Sequence, residues 1–133
     1  MIEHLSPEQL RQLTALYQTA WWTQGRTLEE TRAGVAGSSL CLALVDGDGR
    51  LQGFCRVLTD GVFKALIFDV IVAPDQQDKG HGRQLMDALL HHPRLQKVKH
   101  LELYCLPELQ PYYRQWGFDA NVGEIRLMRL LRR

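Results

Sequence analysis

Residues 77–83 read Gln77-Asp78-Lys79-Gly80-His81-Gly82-Arg83, between an apolar segment ending Val70-Ile71-Val72 and an amphipathic run carrying Leu85, Met86, Leu89 and Leu90. A strand that turns through glycine into a helix exposes backbone N–H groups with no intrahelical partner at the positive end of the helix dipole. That arrangement suits an anion, above all a phosphate. Gly80 and Gly82 remove the Cβ atoms that would keep a bulky pyrophosphate away, while Lys79 and Arg83 add positive charge. The string is neither the phosphate-binding loop G-x-x-x-x-G-K-[ST] nor the dinucleotide fingerprint G-x-G-x-x-G.

A second chemical feature lies just upstream. In Ile67-Phe68-Asp69-Val70-Ile71-Val72 a single acid interrupts an apolar run. A carboxylate there is costly unless it is paired or faces a wet cleft. Burial would raise its pKa towards a value useful for a general base. The other readings are that Asp69 accepts backbone hydrogen bonds at a bend in the strand, or orients a substrate ammonium without taking its proton. Asp60, before Gly61, reads as a turn former.

The pattern Gln77-x-x-Gly80-x-Gly82 after a strand resembles motif A, [QR]-x-x-G-x-[GA], of the GNAT family of N-acetyltransferases, and Tyr112-Tyr113-Arg114-Gln115-Trp116-Gly117-Phe118 resembles the end of its motif B, [FLY]-Y-x-x-x-G-F. The likeness covers roughly residues 40–118 and implies acetyl-CoA as cosubstrate, with no metal. Residues 77–83 would hold its pyrophosphate. A backbone N–H of Ile71 or Val72 would stabilise the oxygen that gains charge on the thioester, and the end of the same strand would pair with the pantetheine arm. For that the strand must splay from its parallel neighbour, with a bulge near residues 69–71. Tyr113 would protonate the departing thiolate, since a phenol with a pKa of about 10 stays protonated at neutral pH. Asp69 takes the place of the base or amine orienter.

The same likeness gives the first two helices to the acceptor cleft, with Trp21, Trp22, Arg26, Arg56 and Phe63 as lining residues. The implied activity is direct acetyl transfer to a primary amine, on a small molecule or a peptide. The alternative is a non-catalytic module of the same fold that binds acyl-CoA or a protein partner. Leu106 stands where the family often has an asparagine, and Pro107 and Pro111 delay the helix that carries Tyr113.

Composition bounds these readings. The chain has 133 residues, enough for one domain, taken as 1–133, that buries roughly two thirds of its unfolded surface. Sixteen basic against 15 acidic residues leave a net charge of +1, so no global field draws it to nucleic acid or an anionic membrane. The N-terminus has no basic region followed by an apolar core, and no run approaches a membrane span, so the expected location is cytoplasmic. Cys41, Cys55 and Cys105 lack C-x-x-C spacing and read as buried thiols. A homodimer is compatible with all of this.

The elements that must position these residues follow from local pattern. Ser6-Pro7-Glu8-Gln9 is a capped helix start, with apolar residues at 10, 13, 17, 20 and 21 and a stop at Gly25. Thr27-Leu28-Glu29-Glu30 starts a second helix running towards Gly37. Strands are predicted at residues 40–45, 51–59 and 63–72 as an antiparallel meander. A helix over 80–92, a strand at 100–105, a short helix before Gly117 and a last strand over 125–131 complete the order ααβββαβαβ. The fold class is a mixed α/β sheet, mostly antiparallel, with one splayed parallel pair and helices on both faces, as in GNAT proteins.

Overall fold

The computed structural model describes residues 1–132. Helix α1 spans Pro7–Tyr17 and opens with a capping box in which Ser6 Oγ accepts from the Gln9 N–H and the Gln9 side chain accepts from the Ser6 N–H. It ends eight residues before Gly25, earlier than the apolar spacing predicts. The Thr23 hydroxyl folds back to donate to the Tyr17 carbonyl at 2.7 Å, satisfying a helix-end acceptor from outside the helix. Residues 18–26 form turns instead, clamped by Gln18, whose carboxamide donates to the Arg26 carbonyl and accepts from the Gly25 N–H, both at 2.9 Å. Helix α2, Leu28–Ala36, has the expected Thr27/Glu30 box and ends at Gly37.

Strands β1 (Leu40–Val45), β2 (Leu51–Thr59) and β3 (Lys64–Val72) form the antiparallel meander, and β4 (His100–Leu103) joins β3 in parallel, giving the order β1-β2-β3-β4. Strand alternation divides the core between two faces. Cys41, Ala43, Phe54 and Ile71 pack with Leu13, Leu16 and Tyr17 of α1. The opposite face receives α3, His81–Leu90, which buries Leu85, Met86 and Leu89. Gly53 permits this approach, since a Cβ there would lie 3.0 Å from Leu85 Cδ1 and 3.3 Å from the Ile71 carbonyl oxygen.

Two irregularities position the site. Phe54 pairs with Ile71 and Arg56 with Phe68, so β3 carries one residue more than β2 between those pairs. The bulge falls at residues 69–70, where Asp69 has φ 55°, in the left-handed region that an L-residue other than Asn or Asp seldom occupies. Pairing between β3 and β4 ends at Ile67 and Leu103. The last five residues of β3 therefore have no β4 partner.

From Tyr104 onward the chain forms a second compact unit. It contains a 3-10 turn, Pro107–Leu109, and a short helix α4, Gln110–Arg114, which starts late as the prolines require. The expected strand over 125–131 does not form, and Ile125, Leu127, Met128, Leu130 and Leu131 are exposed. A strand is completed by its neighbour's hydrogen bonds, and among the described residues this unit holds no other strand.

Candidate active site

The turn after β3 is built by two left-handed residues. Asp78 has φ 63° and Gly80 φ 80°, on either side of Lys79. This succession turns backbone N–H groups towards a common concavity. Gly80 is the N-cap of α3 and no side chain caps that end, so the N–H groups of the first turn face outward without a protein acceptor supplied by a cap. The Gln77 side chain donates to the Val72 carbonyl at 3.4 Å, fastening the loop to the strand. His81 is tied to its own loop, with Nδ1 3.0 Å from Gln84 Oε1 and Nε2 3.3 Å from Gln76 Oε1. The imidazole therefore shapes the loop.

Beside the turn lies a cleft of about 290 Å³ lined by Thr19, Ala20, Trp21, Trp22, Val70, Ile71, Val72 and Gln77. Trp21 and Trp22 are 69% and 49% exposed and meet edge to face at 5.9 Å. Both tryptophans reach the cleft because α1 has already ended, which frees them from the 100° spacing of helical neighbours. The Ala73 N–H donates to the Gln52 carbonyl at 2.9 Å. By alternation Ile71 directs its N–H towards β2, and Val72 directs its own towards the side of β3 that β4 leaves unpaired.

Asp69 occupies the bulge and is buried, but as an ion-pair hub. One oxygen, Oδ2, accepts from the Tyr17 hydroxyl at 2.9 Å, from Arg26 Nη1 at 2.7 Å and from Arg56 Nε at 2.7 Å. Burial pushes its pKa up, as expected from sequence, but the bonds and charges of Arg26 and Arg56 outweigh burial and hold it below the ordinary carboxylate value. The expected raised pKa is thus corrected. The donors are also side chains, where a bend in the strand suggested backbone N–H groups. Burial and the adjacent carboxylate raise the Tyr17 phenol well above its usual range, so this hydroxyl stays protonated and donates.

Arg26 stacks over the Tyr17 ring at 4.6 Å and Arg56 over the Phe68 ring at 4.9 Å. These two arginines come together at Asp69. Phe63 is not among the cleft residues: it precedes β3, about seven strand residues or roughly 23 Å from Val70 at 3.3 Å per residue, and carries Lys99 Nζ 5.5 Å from its ring centroid. Asp60 accepts from the N–H groups of Val62, Phe63 and Lys64, which is its turn-forming role.

In the second unit Tyr113 lies on α4, with ring centroids 5.1 Å from Tyr112, 6.3 Å from Trp116 and 6.2 Å from Phe118. Sequence reasoning took Tyr17 for an apolar-face residue and missed its link to Asp69. A phenol at a core position needs a polar partner, and the isolated acid at Asp69 was the available one.

The glycine turn, the bulged strand and the unpaired strand end are the features that the resemblance to the GNAT family implies, and comparison with known proteins agrees. The acetyltransferase (GNAT) family matches residues 3–118. The chain belongs to this family of acetyltransferases, which use acetyl-CoA. It is 31% identical over 122 residues to the N-acetyltransferase ycf52 of Porphyra purpurea, covering 90% of this chain and 70% of that protein. It is 38% identical over 84 residues to serotonin N-acetyltransferase 2, chloroplastic, of Oryza sativa subsp. japonica, covering 63% of this chain and 42% of that protein. The crystal structure of a protein of Xanthomonas campestris pv. campestris assigned to the GNAT acetyltransferases superposes with a TM-score of 0.79 at 28% identity, over 98% of this chain and 94% of the other.

Proposed function

We propose that this protein transfers an acetyl group from acetyl-CoA directly to a primary amine on a small molecule or a peptide. The observation that carries the reading is the continuity of two features: the uncapped N-terminus of α3 at Gly80 and the end of β3, residues 68–72, beyond its last β4 pair. The first fits a pyrophosphate and the second fits an extended amide-bearing arm, at the spacing of one strand end and one short turn. Residues 77–80, with Gly82 and Arg83, line the pyrophosphate site, and His81 holds the loop in shape. The bound cosubstrate supplies the activated acetyl thioester.

The chain's own groups do the rest. The Val72 N–H, on the unpaired side of β3, donates to the oxygen that gains charge, and Ile71 supports it from the β2 side. Trp21 and Trp22 flank the acceptor's approach through the cleft. A nitrogen–carbon bond forms as the carbon–sulfur bond breaks; the acceptor ammonium loses one proton before attack and the new amide nitrogen a second after it, while the thiolate gains one from the Tyr113 phenol, which regains it from water. Asp69, ionised and bonded to three donors, has no affinity to spare for an ammonium proton, so that proton leaves to water in the open cleft and Asp69 acts by positioning Arg26 and Arg56. The name of the Oryza sativa relative specifies a primary amine acceptor, which supports the same acceptor class here.

Calorimetry with acetyl-CoA, followed by release of the coenzyme thiol over a panel of amines, tests the reading. Saturable binding with amine-dependent thiol release is expected. Binding without release for every amine would reduce the protein to an acyl-CoA binder. Tyr113→Phe should slow thiol release by about 10²-fold or more with little change in acetyl-CoA affinity; unchanged turnover removes Tyr113 as the acid.

A further inference from the structure

We infer that the Arg26–Arg56 pair, braced by Asp69, is a subsite for a carboxylate, so that the amine acceptor is an amino acid or another amine bearing a single carboxylate group. The inference rests on the acetyltransferase reading above and specifies its substrate class. It begins with charge. Two guanidiniums share one carboxylate, and no other acid forms an ion pair with either among the described residues. The cluster therefore carries one uncompensated positive charge at a partly buried position, where desolvation makes such a charge costly. One carboxylate neutralises it, whereas a phosphate dianion would overshoot.

Geometry points the same way. Arg26 gives Asp69 only Nη1, and Arg56 gives it only Nε, with its Nη1 3.5 Å from Ser38 Oγ. Arg26 thus keeps the Nε–Nη2 edge of its guanidinium off Asp69, whereas Arg56 is engaged at both Nε and Nη1, and such an edge is the part of arginine that matches a carboxylate. Among the described residues no buried side-chain nitrogen lacks a partner, so a guanidinium nitrogen that makes no bond reaches solvent. The Arg26 side chain is 31% exposed and that of Arg56 17%, against 4% for Asp69. Asp69 is the buried anchor and the two arginines are its more exposed partners.

The pair neighbours the cleft along the chain without lining it. Residues 18–26, clamped by Gln18, carry Trp21 and Trp22, which line the cleft, and end at Arg26. On the strand side, Asp69 and Val72 are three residues apart, about 10 Å or less given the bulge. A short amino acid spans from one to the other with its amine towards Val72.

The test uses the full chain saturated with coenzyme A, titrated by calorimetry with ω-amino acids of about three to six carbons and the alkylamines of equal length, since about 10 Å bounds the span. At least one amino acid should bind about tenfold or more tightly than its alkylamine, the difference one charge-assisted fork supplies. Arg26→Gln should abolish that preference, Arg26→Lys should keep part of it, and acetyl-CoA affinity should stay unchanged in both. Arg56→Gln serves as the second variant, with its thermal midpoint recorded to confirm folding.

Equal binding of the two series, or an undiminished preference in both glutamine variants, overturns the inference. A preference confined to aminoalkyl phosphates also overturns it. Thiol release from alkylamines with no carboxylate preference would leave the acetyltransferase reading intact and remove this one. Tight amino acid binding without thiol release would do the reverse.

Discussion

At Asp69 an L-residue in the left-handed region, a buried carboxylate and two arginines coincide, and each explains another. The bulge turns the side chain towards α1, where Tyr17, Arg26 and Arg56 meet it within 2.9 Å. Asp69→Asn would leave two guanidiniums partly buried with no counter-charge and should cost about 2–4 kcal/mol in urea unfolding, less than a fully buried pair because Arg26 is partly solvated. The sign of the pH effect follows from the depressed pKa. The unfolded carboxyl titrates near 3.8 and the folded one lower, so the ionised form's contribution is complete above that value and disappears as pH falls through the folded pKa. Stability measured between neutral pH and strong acid should fall more steeply in the wild type than in Asp69→Asn; parallel curves would remove Asp69 as the cause. Tyr17→Phe, which deletes one donor to a charged acceptor, should cost about 1.5–3 kcal/mol.

Helix α3 depends on two glycines for different reasons, and the difference is measurable. At Gly80 the space around a new Cβ is empty, but φ is 80°, so Gly80→Ala should cost about 1–2 kcal/mol from backbone strain alone and weaken acetyl-CoA binding as the turn relaxes. At Gly53 the backbone conformation suits any residue, but the Cβ would meet Leu85 Cδ1 at 3.0 Å and the Ile71 carbonyl oxygen at 3.3 Å. Gly53→Ala should therefore cost about 1–3 kcal/mol by overpacking and tilt α3 away from β2. A smaller cost of Gly53→Ala in a Leu85→Ala background than in the wild type would identify the Leu85 contact as the source; an equal cost would point to the Ile71 carbonyl.

Across the whole molecule, ligand linkage and thiol accessibility give independent readouts. At 100 times its dissociation constant acetyl-CoA should stabilise the fold by about 2.7 kcal/mol, a rise in melting temperature of roughly 8–12 °C for a chain of this size. No rise would contradict binding at the Gly80 turn. Cys41 and Cys55 are buried, and burial pushes the Cys55 thiol up to about 12, whereas Cys105 is only partly buried. A thiol reagent should therefore modify Cys105 in the native protein and the other two only on unfolding. Fast modification of all three would show that the sheet opens readily at β1 and β2.

Features governed by near neighbours were legible in the sequence. The capping boxes at Ser6 and Thr27, the meander, the glycine turn into α3 and the parallel partner, expected at residues 100–105 and formed over 100–103, each depend on a few adjacent residues or on alternation, and the motifs at 77–82 and 112–118 together pointed to the family. What depended on distant groups was not legible. Whether Asp69 would titrate high or low turned on two arginines, 43 and 13 residues away along the chain. The end of α1 turned on the Thr23 hydroxyl reaching Tyr17, and residues 125–131 alternate as a strand should but lack a partner edge in their own unit. Burial sets only the cost of a charge; which partners surround it sets the sign of its pKa shift, and tertiary structure alone chooses those partners.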